Sequence, residues 1–293
     1  MDFGVYHTPV MCAEVAEYLI NNLSGKYADC TLGGAGHSLY LLEKYPQISL
    51  IGLDSDKGAV EESKQKLSKY TGRTEIFREN FKDIRKILDK IGVSSVDGVL
   101  ADLGVSSRQF DDAEKGFSFG SDTLDMRMDS RLEKNAADII NTYDFEGLTE
   151  IFLKYGEERF AGKISRRIIE ERKEGRIESG KKLAEIVEKV KRREGPVHPA
   201  TKIFQALRIA VNNELENLSV FLNDVPSVLS PGGRAVIISY HSLEDRIVKN
   251  SFRDKSRENI YKLLTKNVVF PSDQEVKANR RSRSAKLRAV ERL

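Results

Sequence analysis

Cysteine is scarce: Cys12 and Cys30 are the only two, with no C-x-x-C pair. That argues against a disulfide framework or a thiolate zinc site and fits a reducing compartment. Histidine is scarce too. His7, His37, His198 and His241 are scattered with no H-x-x-x-H pair, so no metal site is expected. Apolar runs long enough for a spanning helix are missing, and the opening MDFGVYHTPVMCAE has acids where a signal peptide has bases. A cytoplasmic chain with no membrane partner is therefore expected. A strong net charge is missing as well: 48 Lys and Arg against 45 Asp and Glu give +3, which alone says little about a polyanionic partner. The segment NRRSRSAKLRA (279–289) departs from this balance, with Arg280, Arg281, Arg283, Lys286 and Arg288 and no acid. Such a cluster can neutralise several phosphates, and a solvated surface segment explains it equally well.

What is present is a change of pattern along 293 residues, a length that suits one large domain with an insertion or two domains. In the first hundred residues, strand-like runs at 27–32, 49–56, 74–80 and 96–104 alternate with helix-like ones. Short apolar strands separated by helices of that length predict parallel βαβ units in a doubly wound α/β domain. After Gly104 come a turn-rich stretch and charged helical segments such as LTEIFLKY and KKLAEIVEKVKRRE, with no strand to about Pro196. The spacing then predicts one long amphipathic helix from Thr201, with Phe204, Leu207, Val211, Leu215 and Leu218 as its buried stripe and Arg208 at the edge. The run GGRAVIISYHS (232–242) restores the strand pattern, and AKLRAV alternates as a last strand with one wet face. Residues 107–197 thus read as a helical insertion in a domain made of 1–106 and 198–293.

The first strand runs into ADCTLGGAGHSLYLLEKY (28–45), a glycine-rich turn opening a helix. In an open parallel sheet the ligand lies beyond the carboxyl ends of the strands, near such a turn. A dinucleotide fingerprint begun at Gly33 meets Ala35 where its second glycine belongs; begun at Gly34, it has Gly36 but then Leu39. S-adenosylmethionine carries no phosphate, so Asp29 with Gly33, Gly34 and Gly36 suffices, and Asp54 after the second strand suits ribose hydroxyls. Asp102, ending the fourth strand, faces the same crevice. Each of these also has an ordinary reading, a tight turn or a capping aspartate.

Taken together, HTPVM (7–11), DCTLGGAGHS (29–38), DLGVSSRQFD (102–111), GFSF with LDMRMD (116–129), YGEERFAGKISRRI (155–168), HPATKIFQALRIAVNNEL (198–215), LSPGGR (229–234), SYHSLEDRIVK (239–249) and RSRSAKLRAVER (282–292) resemble the bacterial 16S ribosomal RNA cytosine-N4 methyltransferase family (MraW or RsmH). The match runs in order through nearly the whole chain. It implies a class I S-adenosylmethionine-dependent methyltransferase, Rossmann-like with a mostly parallel doubly wound sheet, and makes 107–197 an inserted all-helical substrate-recognition domain. The implied partner is 16S ribosomal RNA in the small ribosomal subunit, methylated in its decoding region; a homodimer is allowed. The family's cofactor contacts fall here on Ala35, Gly36, His37, Asp54, Phe81, Asp102 and Gln109, beside Gly33 and Gly34 of the turn. Ala35 departs from the family's glycine and would be strained at a positive φ. Asp102 is expected near the acceptor amine, with Arg208, Tyr240, His241 and Ser242 as candidates for the substrate side. Ser242 and Asp245 also fit a capping box.

Overall fold

The computed structural model describes residues 9–193 and 195–293. His7 and Thr8 of HTPVM, and Glu194 at the end of KKLAEIVEKVKRRE, lie outside them. The chain forms two compact units, one from Met1–Gly104 with Leu215–Leu293 and one from Val105–Glu214.

The first unit is built on strands β1 (Lys26–Asp29), β2 (Ser49–Leu53), β3 (Thr74–Phe77), β4 (Val96–Asp102), β5 (Leu229–Ser239), β6 (Tyr261–Leu263) and β7 (Lys286–Arg292) in the order β3-β2-β1-β4-β5-β7-β6. The first five are parallel, and β7 runs antiparallel between β5 and β6. This is the mostly parallel, doubly wound sheet that the resemblance implies. Alternate residues serve opposite faces: Val99, Ala101, Ala235 and Ile237 pack in one core, Leu100, Val236 and Ile238 in the other. The second of these cores is closed by helices α1 (Cys12–Leu19) and α2 (Gly36–Lys44), through Val15, Leu19, Leu41 and Leu42. Helices α3 (Lys57–Lys66) and α4 (Ile84–Lys90) complete the first series. Gly52 in β2 makes room for the first turn: a Cβ there would lie 2.7 Å from the Leu32 side chain, which would have to shift.

Among the described residues of the second unit there are helices and no strand: α5 (Ser107–Asp111), α6 (Ala136–Thr142), α7 (Phe145–Lys154), α8 (Ala161–Glu174), α9 (Gly180–Val190) and α10 (Thr201–Asn212). They enclose their own core, with Phe152, Ile164, Leu183, Ile203 and Leu207 at its centre. The LDMRMD segment is held by Asn212, which donates to the Met126 carbonyl and accepts from the Met128 amide, each at 2.8 Å. Its charges pair locally, Asp125 with Arg127 and Asp129 with Arg131.

The chain returns to the sheet through α11 (Glu214–Val228), then α12 (Ser242–Arg257) and α13 (Asp273–Ala278). The single long helix expected from Thr201 is two helices. Asn213 adopts a left-handed φ of 50° between α10 and α11, a conformation asparagine tolerates better than most residues. The helical periodicity carries across that break, which is why one stripe was legible where two exist. Phe204, Leu207 and Val211 of α10 belong to the insertion's core, whereas Leu218 of α11 packs with Val99 and Ala101. The second unit therefore extends to Glu214, past the boundary of 197 that the strand pattern suggests.

Candidate active site

The strand order reverses between β1 and β4, so the tips of β1, β2 and β4 flank the point where open α/β sheets receive ligands. At the tip of β2, Asp54 braces the glycine turn: one carboxylate oxygen accepts the Gly33 amide and the other the Asp56 amide, both at 2.8 Å. At the tip of β1, Asp29 is 2 % exposed and accepts the Ser38 hydroxyl at 2.6 Å. The glycines make room for protein as well as for a ligand. A Cβ at Gly36 would lie 3.0 Å from the Pro9 ring, and one at Gly34 3.2 Å from Glu62 Oε1.

Ala35 is fully buried and N-caps α2 at φ 58°, ψ 27°, so the left-handed geometry is kept despite the Cβ. That conformation costs an L-residue about 1–2 kcal/mol, partly offset by roughly 0.8 kcal/mol for the buried methyl. Ala35→Gly is expected to raise stability by less than about 1 kcal/mol, read as a small upward shift in thermal unfolding. A clear loss of stability would mean that the methyl's packing outweighs the strain.

At the tip of β4, two hydrogen bonds hold Asp102 and a histidine ring lies near its carboxylate. Its amide donates to Thr31 Oγ1 at 2.6 Å, its Oδ1 accepts the Tyr240 hydroxyl at 2.7 Å, and its Oδ2 lies 4.0 Å from His37 Nδ1. The His37 ring is oriented from behind, where Nε2 donates to the Val10 carbonyl at 2.8 Å. Tyr240 follows β5, so the fourth and fifth strands converge on one carboxylate. Thr31 and Val10 fall within segments shared with the family, but nothing local marks their roles. A hydroxyl two residues beyond a strand and a backbone carbonyl belong to no pattern that would mark them.

The structure thus brings together Gly33, Asp54, His37, Asp102 and Tyr240 from the residues singled out by sequence. Phe81 packs edge-on against Phe221, ring centroids 5.3 Å apart. In the second unit, Gln109 closes a capping box with Ser106, and Arg208 makes a two-pronged pair with Glu214, both bonds at 2.8 Å. The capping box expected at Ser242 begins one residue earlier. His241 caps α12, and the Glu244 carboxylate reaches back to the amides of Tyr240 (2.9 Å) and His241 (3.3 Å). Asp245, freed from capping, pairs with Arg288 at 2.7 Å.

Electrostatics favour a particular class of ligand. The carboxyls of Asp54 and Asp102 are both pushed up to about 6, mainly by burial, with the charge of Asp29 raising each further. The Asp29 carboxyl is itself raised by burial. Three carboxylates at the strand tips, each raised by burial, oppose a pyrophosphate and favour a ligand that brings cations and hydroxyl donors. Asp54 retains acceptor capacity on both oxygens after its two amide bonds, which suits the neighbouring hydroxyls of a ribose.

Residues 4–293 match the model of the MraW methylase family. The chain belongs to that family. It is similar to ribosomal RNA small subunit methyltransferase H of Endomicrobium trichonymphae, 50 % identical over 288 residues that span 98 % of this chain and 99 % of that protein. It is also similar to the protein of that name from Clostridioides difficile (strain 630), 44 % identical over 309 residues, 98 % and 99 % of the two chains. As an MraW methylase it is a methyltransferase with S-adenosylmethionine as its methyl donor, and an acid-lined crevice with a ribose-suited carboxylate fits that donor. No helix among the described residues is long and apolar enough to cross a membrane.

Proposed function

We propose that this methyltransferase modifies the N4 amino group of a cytosine in the decoding region of 16S ribosomal RNA, within the small ribosomal subunit in the cytoplasm. The observation that carries this reading is Asp102, a largely buried residue at the tip of β4 whose carboxylate accepts the Tyr240 hydroxyl and whose amide is held by Thr31. S-adenosylmethionine, when bound, supplies an electrophilic methyl on a cationic sulfur. Asp54 accepts the ribose hydroxyls, and Gly33 to His37 line the turn beside it. Phe81 and Gln109 stand as further cofactor contacts by their correspondence with the family pattern.

Cytosine N4 is a weak nucleophile because its lone pair is delocalised into the ring. The protein must therefore hold the amine in line and accept a hydrogen bond as the nitrogen becomes tetrahedral. Positioning alone contributes on the order of 7–11 kcal/mol. Asp102 meets the second requirement. Its ionised carboxylate accepts an N4 hydrogen and, with a pKa raised to about 6, is basic enough to take the proton that the methylated nitrogen sheds. Tyr240 donates to Oδ1 and so fixes the carboxylate's plane. Arg208, His241 and Ser242 remain assigned to the substrate side.

The test is transfer from labelled S-adenosylmethionine to small subunits lacking the modification, with the nucleoside identified by mass spectrometry. Label recovered as N4-methylcytosine is the expected result. Cofactor binding without label in that RNA would move the activity to another acceptor.

A further inference from the structure

The basic run at 279–289 takes no part in the crevice chemistry, yet strand register brings it there. Lys286, the first residue of β7, lies opposite Ser239, the last of β5. Ser239 directly precedes Tyr240, whose hydroxyl rests on Asp102. On the other edge of β7, Val269 bridges to Leu287 through two backbone bonds of 3.0 and 2.9 Å. Antiparallel pairing then sets the next residue, Phe270, alongside Lys286. Phe270 is 60 % exposed, an aromatic ring left to solvent at the end of the strand that leads to the crevice.

The arginines beside it are presented by a preformed turn. Asn279 caps the segment Arg280–Ser284 by accepting the Arg281 amide at 3.2 Å, and Ser282 Oγ donates to the Asn279 carbonyl at 2.7 Å. Ser282 and Ala285 are fully buried, which leaves Arg280, Arg281 and Arg283 on the outside. The preceding helix α13 is tied to the start of α1, where the Met11 amide donates to Glu275 Oε1 at 2.7 Å. Between Lys266 and Arg288 the chain has seven basic and two acidic residues. Of these, Glu275 is engaged by Met11 and Arg288 by Asp245.

We propose that Phe270, Lys286 and the Arg280–Arg283 turn form a rail for the single-stranded RNA that flanks the target nucleotide. The inference rests on the RNA substrate proposed above. The Phe270 ring stacks on a base and the cations meet successive backbone phosphates, the combination by which proteins hold unpaired strands. A cytosine whose N4 is to be methylated must leave its base pair, so the strand beside it arrives unpaired.

Steady-state methylation of a small-subunit RNA fragment, with anisotropy binding of a single-stranded oligonucleotide from the same region, tests the rail. Phe270→Ala is expected to raise the KM for RNA about tenfold or more, with kcat at saturating RNA unchanged and Phe270→Tyr restoring the KM. The double variant Arg280→Ala, Arg283→Ala is expected to flatten the dependence of log affinity on log salt by about 0.7 for each phosphate no longer neutralised. Thermal unfolding and cofactor affinity stay at wild-type values, because all three side chains face solvent. Wild-type methylation with variants of unchanged KM and salt slope would overturn the rail and leave the proposed activity intact. Equal weakening on duplex and single-stranded RNA would overturn the single-strand assignment. A wild-type protein that neither binds nor methylates the RNA would sink both.

Discussion

Replacing Asp102 with asparagine is expected to slow methyl transfer by about two to four orders of magnitude and, in the same protein, to raise stability at pH 7. Both effects follow from the buried carboxylate. Its folded pKa of about 6 lies above the unfolded value of about 3.9. Across the window between them the native state binds more protons than the unfolded chain, so stability falls as pH rises. At neutral pH the ionised group costs on the order of 2–3 kcal/mol. Asparagine keeps an oxygen for the Tyr240 hydroxyl and removes the charge. Unfolding scans should therefore show wild-type stability declining between about pH 4 and 6, less steeply in the variant. Part of the remaining slope belongs to Asp54, raised to a similar value, and part to Asp29, also raised by burial. The wild-type kcat/KM should climb around pH 6, as Asp102 ionises in the folded enzyme. A variant that is slow and also less stable at pH 7 would make Asp102 a structural brace.

Asp54→Ala is expected to weaken S-adenosylmethionine binding by about two to four orders of magnitude, from the loss of two charge-assisted hydrogen bonds to the ribose at roughly 1.5–3 kcal/mol each. The turn loses its anchor as well, because the Gly33 and Asp56 amides both donate to this carboxylate. Calorimetric titration measures the first effect, and Asp54→Asn separates it from the second by keeping an acceptor for one amide. An affinity within tenfold of wild type in the alanine variant would confine Asp54 to bracing the turn.

The parallel strands were legible because burial on both faces forces nearly continuous apolar runs, as in VDGVLAD and SLIGL. Strand β6 was not, since three residues are too short a run to show a period of two. The break at Asn213 was hidden because helical periodicity says nothing of a single left-handed residue. Within the site, Asp54 and Asp102 declared themselves by standing at strand ends. Their partners Tyr240 and Thr31 are joined to Asp102 only by the sheet's strand order, which no local pattern encodes. The opposite error arose at Ser242: it fits a capping rule, but His241 one residue earlier supplies the acceptor and Glu244 the return bond.

The pairing of β4 with β5 has a consequence for how the protein is made. These neighbours are separated in sequence by the whole of residues 105–214, yet those residues form one contiguous unit with its own core. During synthesis the helical unit leaves the ribosome complete while the sheet still lacks its central partner. Its folding before β5 exists replaces a long flexible connection by a compact one, which lowers the chain entropy that the late strand must overcome. Lesions in the helical core should therefore slow completion of a sheet they do not belong to.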